Sequence, residues 1–203
     1  MRHRGWASVV VAAIVALALT GCGTSPASPA TPTGSPPLPS PPPTSTAAHV
    51  GSGCGFIPVR GSGSFGSMSN QGVVSATASN PQLSVFSSAI RSAALTRELD
   101  AMRSFTLFVP VNSAFAGLSR SDVTYLRKQA NLARVIRHQV VTGKVTPTRI
   151  AQGGSVIALS GNKLTLGKRG SAYRVDDATV VCGNIKTANG TIYVIDKVLL
   201  PPK

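Results

Sequence analysis

The feature that most restricts the folding of this 203-residue chain is a proline-rich stretch between residues 23 and 48. Nine prolines alternate there with Ser, Thr and Ala, and the stretch contains no charged residue. Such a composition buries too little apolar surface to offset the entropy lost on folding. Its prolines favour an extended chain that rises about 3.1 Å per residue. The sequence therefore predicts a stalk over residues 22–49 and confines the folded core to the residues that follow.

A short apolar run precedes the stalk. Residues 9–19 are uncharged and apolar, and two arginines lie before them. The run is shorter than the roughly 20 residues that a membrane-spanning helix needs, so it predicts a secretory signal over residues 1–21. Residues 19–22, with the sequence LTGC, resemble the bacterial lipobox, in which the cysteine is lipidated. We therefore expect lipidation at Cys22 and anchoring to the outer, extracytoplasmic face of the cell membrane; a plain secretory signal is the alternative.

Cysteine parity agrees with export. The chain has three cysteines, and assigning Cys22 to the lipid leaves Cys54 and Cys182 as an even pair. An exported protein is in a compartment that permits disulfides. We expect Cys54 and Cys182 to be joined, with two buried free thiols as the alternative. Residues 50–72 are rich in Gly and Ser, and we interpret them as an irregular arm attached through Cys54.

The chain is strongly basic, with 20 Lys and Arg residues against six acidic ones. In the cytoplasm this balance would indicate nucleic acid. For an exported protein we expect no nucleic-acid partner, and the polyanions that remain are lipid headgroups, wall polymers and glycans. Net charge governs attraction and association rate rather than fold. One candidate binding face consists of Arg127, Lys128, Arg134 and Arg137. The alternative is that these bases form a solvated helix surface that serves only solubility.

Within residues 73–203, helical signals come first and strand signals later, which predicts an α+β domain. Asn80-Pro81 is typical of a helix start, and Asn189-Gly190 is typical of a two-residue type I′ hairpin turn. Residues 105–111 form a β-prone apolar run. The helix that starts at Asn80-Pro81 is predicted to continue to residue 93. Further helices are predicted at residues 94–102, 112–116, 121–126 and 131–137, and further strands at 156–159, 163–166, 172–175, 179–185 and 191–200.

The residue pattern does not predict an enzyme. His138 is the one histidine after residue 72, and no Gly-x-Ser-x-Gly nucleophile motif is present. The six acids show no spacing that pairs them for acid–base catalysis. One histidine, two cysteines expected to be bridged and scattered acids form no recognised metal-ligand set. We therefore expect no catalytic residue, no metal and no cofactor.

Three ordered motifs carry a family resemblance. Residues 106–115, with the sequence TLFVPVNSAF, resemble the first signature of fasciclin-like domains. Residues 189–202, with the sequence NGTIYVIDKVLLPP, resemble the second. Between them, Arg137-His138 resembles the family's Tyr-His motif with Arg in place of Tyr. Residues 78–81 and 180–183 further resemble the mycobacterial members, which are secreted proteins or lipoproteins.

The resemblance implies a wedge-shaped β-sandwich with several helices packed along one edge. It also implies adhesion or binding of a protein, glycan or envelope component such as a wall polymer at a surface. Two alternatives stay open: a carrier of a lipid or small apolar ligand, and a structural envelope protein. Four motif residues are expected to be structural: Thr106, Asn112 as a helix cap, His138 bonded toward the first signature, and Asp196 as an acceptor of local hydrogen bonds.

Overall fold

The structure, a computed structural model, describes residues 48–202. The predicted signal, Cys22 and nearly all of the predicted stalk lie outside these residues. The strands of the described part form one seven-stranded sheet in the order β2-β1-β7-β6-β5-β4-β3. Their bounds are β1 Phe105–Pro110, β2 Val140–Thr142, β3 Gly154–Ile157, β4 Lys163–Arg169, β5 Ala172–Val175, β6 Ala178–Lys186 and β7 Gly190–Ile195.

Short helices precede and interrupt the strands. Two 3-10 turns, Cys54–Phe56 and Pro81–Leu83, accompany the α-helices. The α-helices of the described part are α1 Phe65–Ser69, α2 Val73–Ala78, α3 Ser84–Ser92, α4 Thr96–Ala101, α5 Asn112–Ala116, α6 Arg120–Leu126, α7 Gln129–His138 and α8 Pro147–Gln152. The predicted α+β class is confirmed.

Strands β1 and β7, the second and third in the sheet order, run parallel to each other. Their register places Phe105 opposite Gly190 and Pro110 opposite Ile195. Every residue of β1 is buried, which explains its unbroken apolar sequence, because a strand covered on both faces has no solvent side to fill with polar residues. The other pairings in the sheet are antiparallel.

The sheet curls until its edge strands nearly meet. Val141 of β2 forms an isolated bridge with Ala158, which directly follows β3. Beside it, the Leu159 N–H donates to the Val140 carbonyl over 2.7 Å. The expected sandwich is therefore one continuous bent sheet, and we call the line where β2 meets the end of β3 the seam.

Two apolar cores lie on the two faces of this sheet. The larger one fills the space between the helices and the sheet, and it includes Phe86, Ile90 and Leu99. The second lies inside the curl, where Phe108 and Tyr193 are fully buried. The spacing of Phe86 and Ile90 on α3 puts both side chains on one helix face. The sequence periodicity there thus corresponds to real burial.

The Gly/Ser-rich arm is an integral part of the domain. Cys54 and Cys182 form a disulfide with Cα atoms 4.8 Å apart and a sequence separation of 128. In the chain-entropy description, a closed loop of that length stabilises by about 5 kcal/mol. The expectation of an irregular arm is wrong, because α1 lies within it and its Met68 is fully buried in the larger core.

The last strand is shorter than the sequence predicts. Residues 191–200 are predicted to form one strand, but β7 ends at Ile195, directly before Asp196 and Lys197. Beyond it, Val198 packs with Ala114 and Val135 in a small cluster beside the helices. Val198 is therefore buried against helices, whereas Leu199 belongs to the core inside the curl.

The β6–β7 turn also differs from the prediction. Neither Asn189 nor Gly190 has a positive φ, so the type I′ turn is wrong. The Thr187 N–H donates to the Gly190 carbonyl over 3.0 Å, which makes Ala188 and Asn189 the central residues of the turn. Gly190 is needed for close packing instead, because a Cβ there would lie 2.7 Å from the carbonyl oxygen of Phe105.

Asn189 caps a helix that is far away in sequence. Its Oδ1 accepts a hydrogen bond from the N–H of Val73, the first residue of α2, over 2.8 Å. Its Nδ2 donates to the carbonyls of Leu99 and Met102, each over 3.3 Å, at the end of α4. One amide side chain therefore satisfies backbone groups at the ends of two helices, which helices cannot satisfy internally.

Replacing Asn189 with Ala should lower the free energy of unfolding by about 1–3 kcal/mol, the usual cost of losing a cap and leaving backbone groups unpaired. Denaturant unfolding followed by circular dichroism measures the change. Asn70→Ala is the matched control, because Asn70 is exposed and its side chain bonds only within α1. Equal effects of the two substitutions would contradict the capping role.

Candidate functional site

The two predicted signatures form neighbouring strands of the sheet. Residues 106–110 of the first form most of β1, and residues 190–195 of the second form β7. The paired strands are buried along their length, so the signatures build the core, and any binding surface has to lie at their ends or on the helices. The search for a site therefore starts where these strands begin and end.

Thr106 and Tyr193 hold the loop that follows β2. Thr106 Oγ1 donates to the carbonyl of Gly143 over 2.9 Å and accepts from the N–H of Val145 over 2.8 Å. The Tyr193 hydroxyl donates to the carbonyl of Val145, also over 2.9 Å. Burial of this tyrosine raises the pKa of its hydroxyl. Both side chains are thus structural, and they set the position of Lys144 on the surface.

Asn112 stabilises a different helix from the one predicted. It is the first residue of α5, where Val111 is the cap residue and no side-chain cap bond forms. Its Oδ1 accepts from the N–H of Val85 over 3.0 Å, at the start of α3. Its Nδ2 donates to the carbonyl of Pro81 over 2.9 Å. The predicted local cap is wrong, because the unpaired N–H groups of α3 lie within reach.

His138 is buried at the end of α7, and its Nδ1 lies 2.9 Å from Ser160 Oγ. The expected bond toward the first signature is wrong, since Ser160 lies between β3 and β4, beside the seam. Burial lowers the pKa of the imidazole, the charge of Asp176 opposes that shift, and Arg134 adds to it. The ring therefore joins α7 to the seam and favours its neutral form.

Asp196 directly follows β7. Its Oδ1 accepts from the N–H of Thr179 over 2.7 Å, and its own N–H donates to the Thr179 carbonyl over 3.1 Å. This reciprocal pair extends the contact between β6 and β7 by one residue. The carboxylate is thereby used in local structure.

The four bases of the predicted binding face do not form one free surface. Arg137 is paired with Glu98, with Nη2 and Oε2 2.6 Å apart, and this bond lowers the pKa of the Glu98 carboxyl. Arg134 donates to the carbonyl of Pro202 over 3.0 Å. Arg127 and Lys128 are exposed between α6 and α7. The helical spacing correctly groups Arg134 and Arg137, but it does not show their partners.

Sequence reasoning missed an apolar patch on α6. Val123 is 41% exposed and lines a depression of about 310 Å³ together with Leu118 and Thr124. Arg120 and Arg127 complete its wall. We call these five residues the α6 patch. Val123 lies between Asp122 and Thr124 in a helix without a buried residue. The signal in the sequence was one apolar residue among polar neighbours, and such a residue does not by itself predict an exposed patch.

Two depressions of opposite charge lie at the two ends of β7. The one at its start, about 350 Å³, is lined by Arg103, Lys144 and Lys186, and we call it the basic depression. The one at its end, about 400 Å³, contains three carboxylates and one lysine, and we call it the acidic depression. These four residues are Asp122, Asp177, Asp196 and Lys197.

Two carboxylates of the acidic depression are bonded within the domain. Within residues 48–202, no group of three or more His, Cys, Asp or Glu side chains is arranged to hold a metal ion. Asp177 is in an ion pair with Lys197 at 2.9 Å, and Asp196 is bonded to the backbone. In the same range, no helix has the length and apolar character needed to cross a bilayer.

Comparison with known proteins gives consistent results. The profile of the Fasciclin domain matches residues 81–201. Immunogenic protein MPB70 of Mycobacterium bovis is 33% identical over 170 residues, covering 79% of this chain and 86% of that protein. Cell surface glycolipoprotein MPB83 of the same species is 33% identical over 162 residues, covering 75% of this chain and 72% of that protein.

A solved structure shows the same fold. It is a FAS1 domain pair from the insect cell adhesion molecule Fasciclin I, with a TM-score of 0.50 and 20% identity. The match covers 59% of this chain and 45% of that chain, so this protein spans less than half of the solved pair. At this identity the similarity establishes the fold alone.

The buried imidazole predicts a pH dependence of stability. The folded state lowers the pKa of His138 below its usual 6.5, so near pH 6 the folded protein binds fewer protons than the unfolded chain. The free energy of unfolding should therefore fall as the pH drops from 7 toward 5. At pH 8, His138→Ala should cost about 1–3 kcal/mol, and it should flatten the decline below pH 7.

Ser160→Ala is the matched control, because it removes the hydrogen-bond partner and keeps the buried imidazole. It should be destabilising at pH 8 and retain the decline between pH 7 and 5. Unfolding curves of both variants at several pH values provide the measurement. If His138→Ala leaves the decline unchanged, the imidazole is not responsible for it.

Proposed function

The chain belongs to the fasciclin domain family, and from this we propose that it is a lipid-anchored surface protein whose domain binds a partner outside the cell. The partner is a protein, glycan or envelope component. The α6 patch is the observation that carries the binding part of the proposal. The chain acts as a binding module rather than as an enzyme.

The anchor is proposed from the sequence and a relative. Cys22 lies directly after a short apolar run, in a stretch that resembles a lipobox. The relative MPB83 is described as a cell surface glycolipoprotein. An extracellular surface location follows from that similarity, and lipid on Cys22 would supply the attachment. The proline-rich stretch then extends the domain away from the bilayer.

The α6 patch has the composition of a binding surface. An exposed apolar side chain between arginines combines an apolar centre with a charged rim, which is the arrangement found at protein interfaces. Arginine also binds carboxylates in bidentate geometry. The patch therefore suits a partner that offers an apolar group flanked by acidic ones.

The carrier alternative has less support. The space between helices and sheet, where a lipid chain would bind, is filled by buried side chains such as Leu83, Phe86 and Leu107. The depressions described above are surface depressions with charged walls. A carrier would require an apolar pocket that buries most of its ligand.

Cys22→Ala should move the protein from the membrane fraction to the soluble fraction and abolish metabolic labelling with a fatty acid. Removing the thiol removes the only site at which the proposed lipid can attach. Cell fractionation followed by immunoblotting gives the readout, with Cys54→Ala as the control that retains labelling. Labelling that persists without Cys22 contradicts the anchor.

Val123→Asp should reduce capture of the partner from envelope and host-cell extracts at least tenfold, because burying a carboxylate against an apolar group is costly. Val85→Asp is the matched control, since Val85 is also 41% exposed on a helix, α3. Circular dichroism should show both variants folded.

Two outcomes would contradict this proposal. Equal capture by the two variants would mean that the partner binds outside the α6 patch. If the unmodified chain captures no partner, the structural envelope role is favoured instead.

A further inference from the structure

The basic depression gathers positive charge without compensation. Arg103 precedes β1, Lys144 follows β2 and Lys186 ends β6, so three separate segments bring these cations together. Within residues 48–202, none of the three forms an ion pair. Like charges held together repel one another, and an anionic surface placed against them removes that repulsion. The depression is open and therefore suits a surface rather than an enclosed ligand.

The chain enters the domain at this same end. Val50 pairs antiparallel with Gly183 of β6, through hydrogen bonds of 3.2 and 2.7 Å. Two residues before Val50, the carbonyl of Ala48 accepts a hydrogen bond from Asn184 Nδ2 over 3.1 Å. Followed backwards toward the N-terminus, the chain thus runs toward Lys186. The segment that leads to Cys22 begins beside the basic depression.

The depression at the opposite end of β7 carries the opposite net charge. The acidic depression begins where β7 ends, and the basic one lies where β7 begins. A strand of six residues separates them by roughly 20 Å. The two depressions therefore differ in charge along β7, and the basic one lies toward the tether.

From the tether's entry point and this polarity, we infer that the basic depression lies against the anionic phospholipid headgroups of the membrane that anchors the chain. The inference rests on the proposed anchor at Cys22. In the described part of the domain the three cations have no acidic partner, and headgroup phosphates would supply the negative charge that neutralises them. The attraction acts within about 8 Å at physiological ionic strength.

Docking in this orientation leaves the α6 patch accessible. Leu118 lines both the α6 patch and the acidic depression, so the patch lies toward the end away from the membrane. A membrane-bound domain therefore presents its partner-binding surface outward.

The test uses the mature chain from residue 22 with Cys22→Ser, so that binding does not depend on the anchor. It should sediment with vesicles of 30% phosphatidylglycerol in phosphatidylcholine and not with pure phosphatidylcholine vesicles. Arg103→Glu with Lys186→Glu should weaken the partition by roughly 30-fold or more, since each basic residue at an anionic surface contributes about fivefold.

Arg174→Glu with Lys197→Glu is the matched control, because it changes the net charge equally near the acidic end. Lys197 lines the acidic depression, and Arg174 donates to the carbonyl of Asp177, which also lines it, over 2.8 Å. This control should keep most of the vesicle binding. Equal losses in the two double variants would show attraction by net charge alone and would overturn the inference.

Energy transfer to labelled lipids measures the orientation directly. A donor dye on Ala188→Cys, in the basic depression, should transfer strongly to acceptor lipids in the bound state. The same dye on Ser113→Cys, in the acidic depression, should transfer weakly. Equal transfer from the two positions, or stronger transfer from position 113, overturns the orientation.

A second measurement distinguishes the membrane from a wall polymer. If Arg103 and Lys186 are needed for retention on an immobilised anionic polysaccharide but not for vesicle binding, the depression binds a polymer instead, and the inference is overturned.

This outcome is independent of the anchor test. Loss of fatty-acid labelling in the Cys22→Ala variant concerns the tether, whereas vesicle binding by the Cys22→Ser chain concerns the basic depression. Either can succeed while the other fails.

Discussion

The parallel pairing of β1 with β7 is the contact on which the rest of the domain depends. It joins residues 105–110 to residues 190–195, so most of the domain's chain is folded between the two partners. Parallel neighbours need a long connection, and here the connection supplies α5 to α8 and the other strands. The functional surfaces follow from this pairing: the basic depression forms where the two strands begin, and the acidic depression forms where they end. The fold thus determines which charges meet.

Distant asparagine side chains complete the helices that surround this pair. The α-helices of the described part have five to ten residues, shorter than the 12–15 residues at which isolated helices become stable. Asn112, next to the end of β1, pairs with the start of α3, and Asn189, next to the start of β7, pairs with the start of α2. Helix formation is therefore coupled to sheet formation, because each cap exists only when its strand is in place.

The features that the sequence reveals are those with a local cause. The apolar run of β1 reflects burial on both faces, and cysteine parity corresponds to the Cys54–Cys182 disulfide. Features that depend on distant partners were missed or misassigned. Asn189-Gly190 has the composition of a type I′ turn, yet the amide serves α2 and the glycine makes room for Phe105. Likewise, Arg137 has the spacing of a binding face, but Glu98, which neutralises it, lies 39 residues earlier.

The disulfide also determines how the domain carries mechanical load. A pull on the stalk reaches the fold at Ala48 and then at Cys54, where a covalent bond transfers it to Cys182 in the middle of β6. The residues between the two cysteines form a closed covalent ring, so tension between the cysteines cannot draw them out as an extended chain. The short segment before Cys54 peels from the sheet first, and its contact with Gly183 is a single bridge. An anchored protein that grips a partner on the far side would therefore release only a few residues before the disulfide passes the force into the middle of β6.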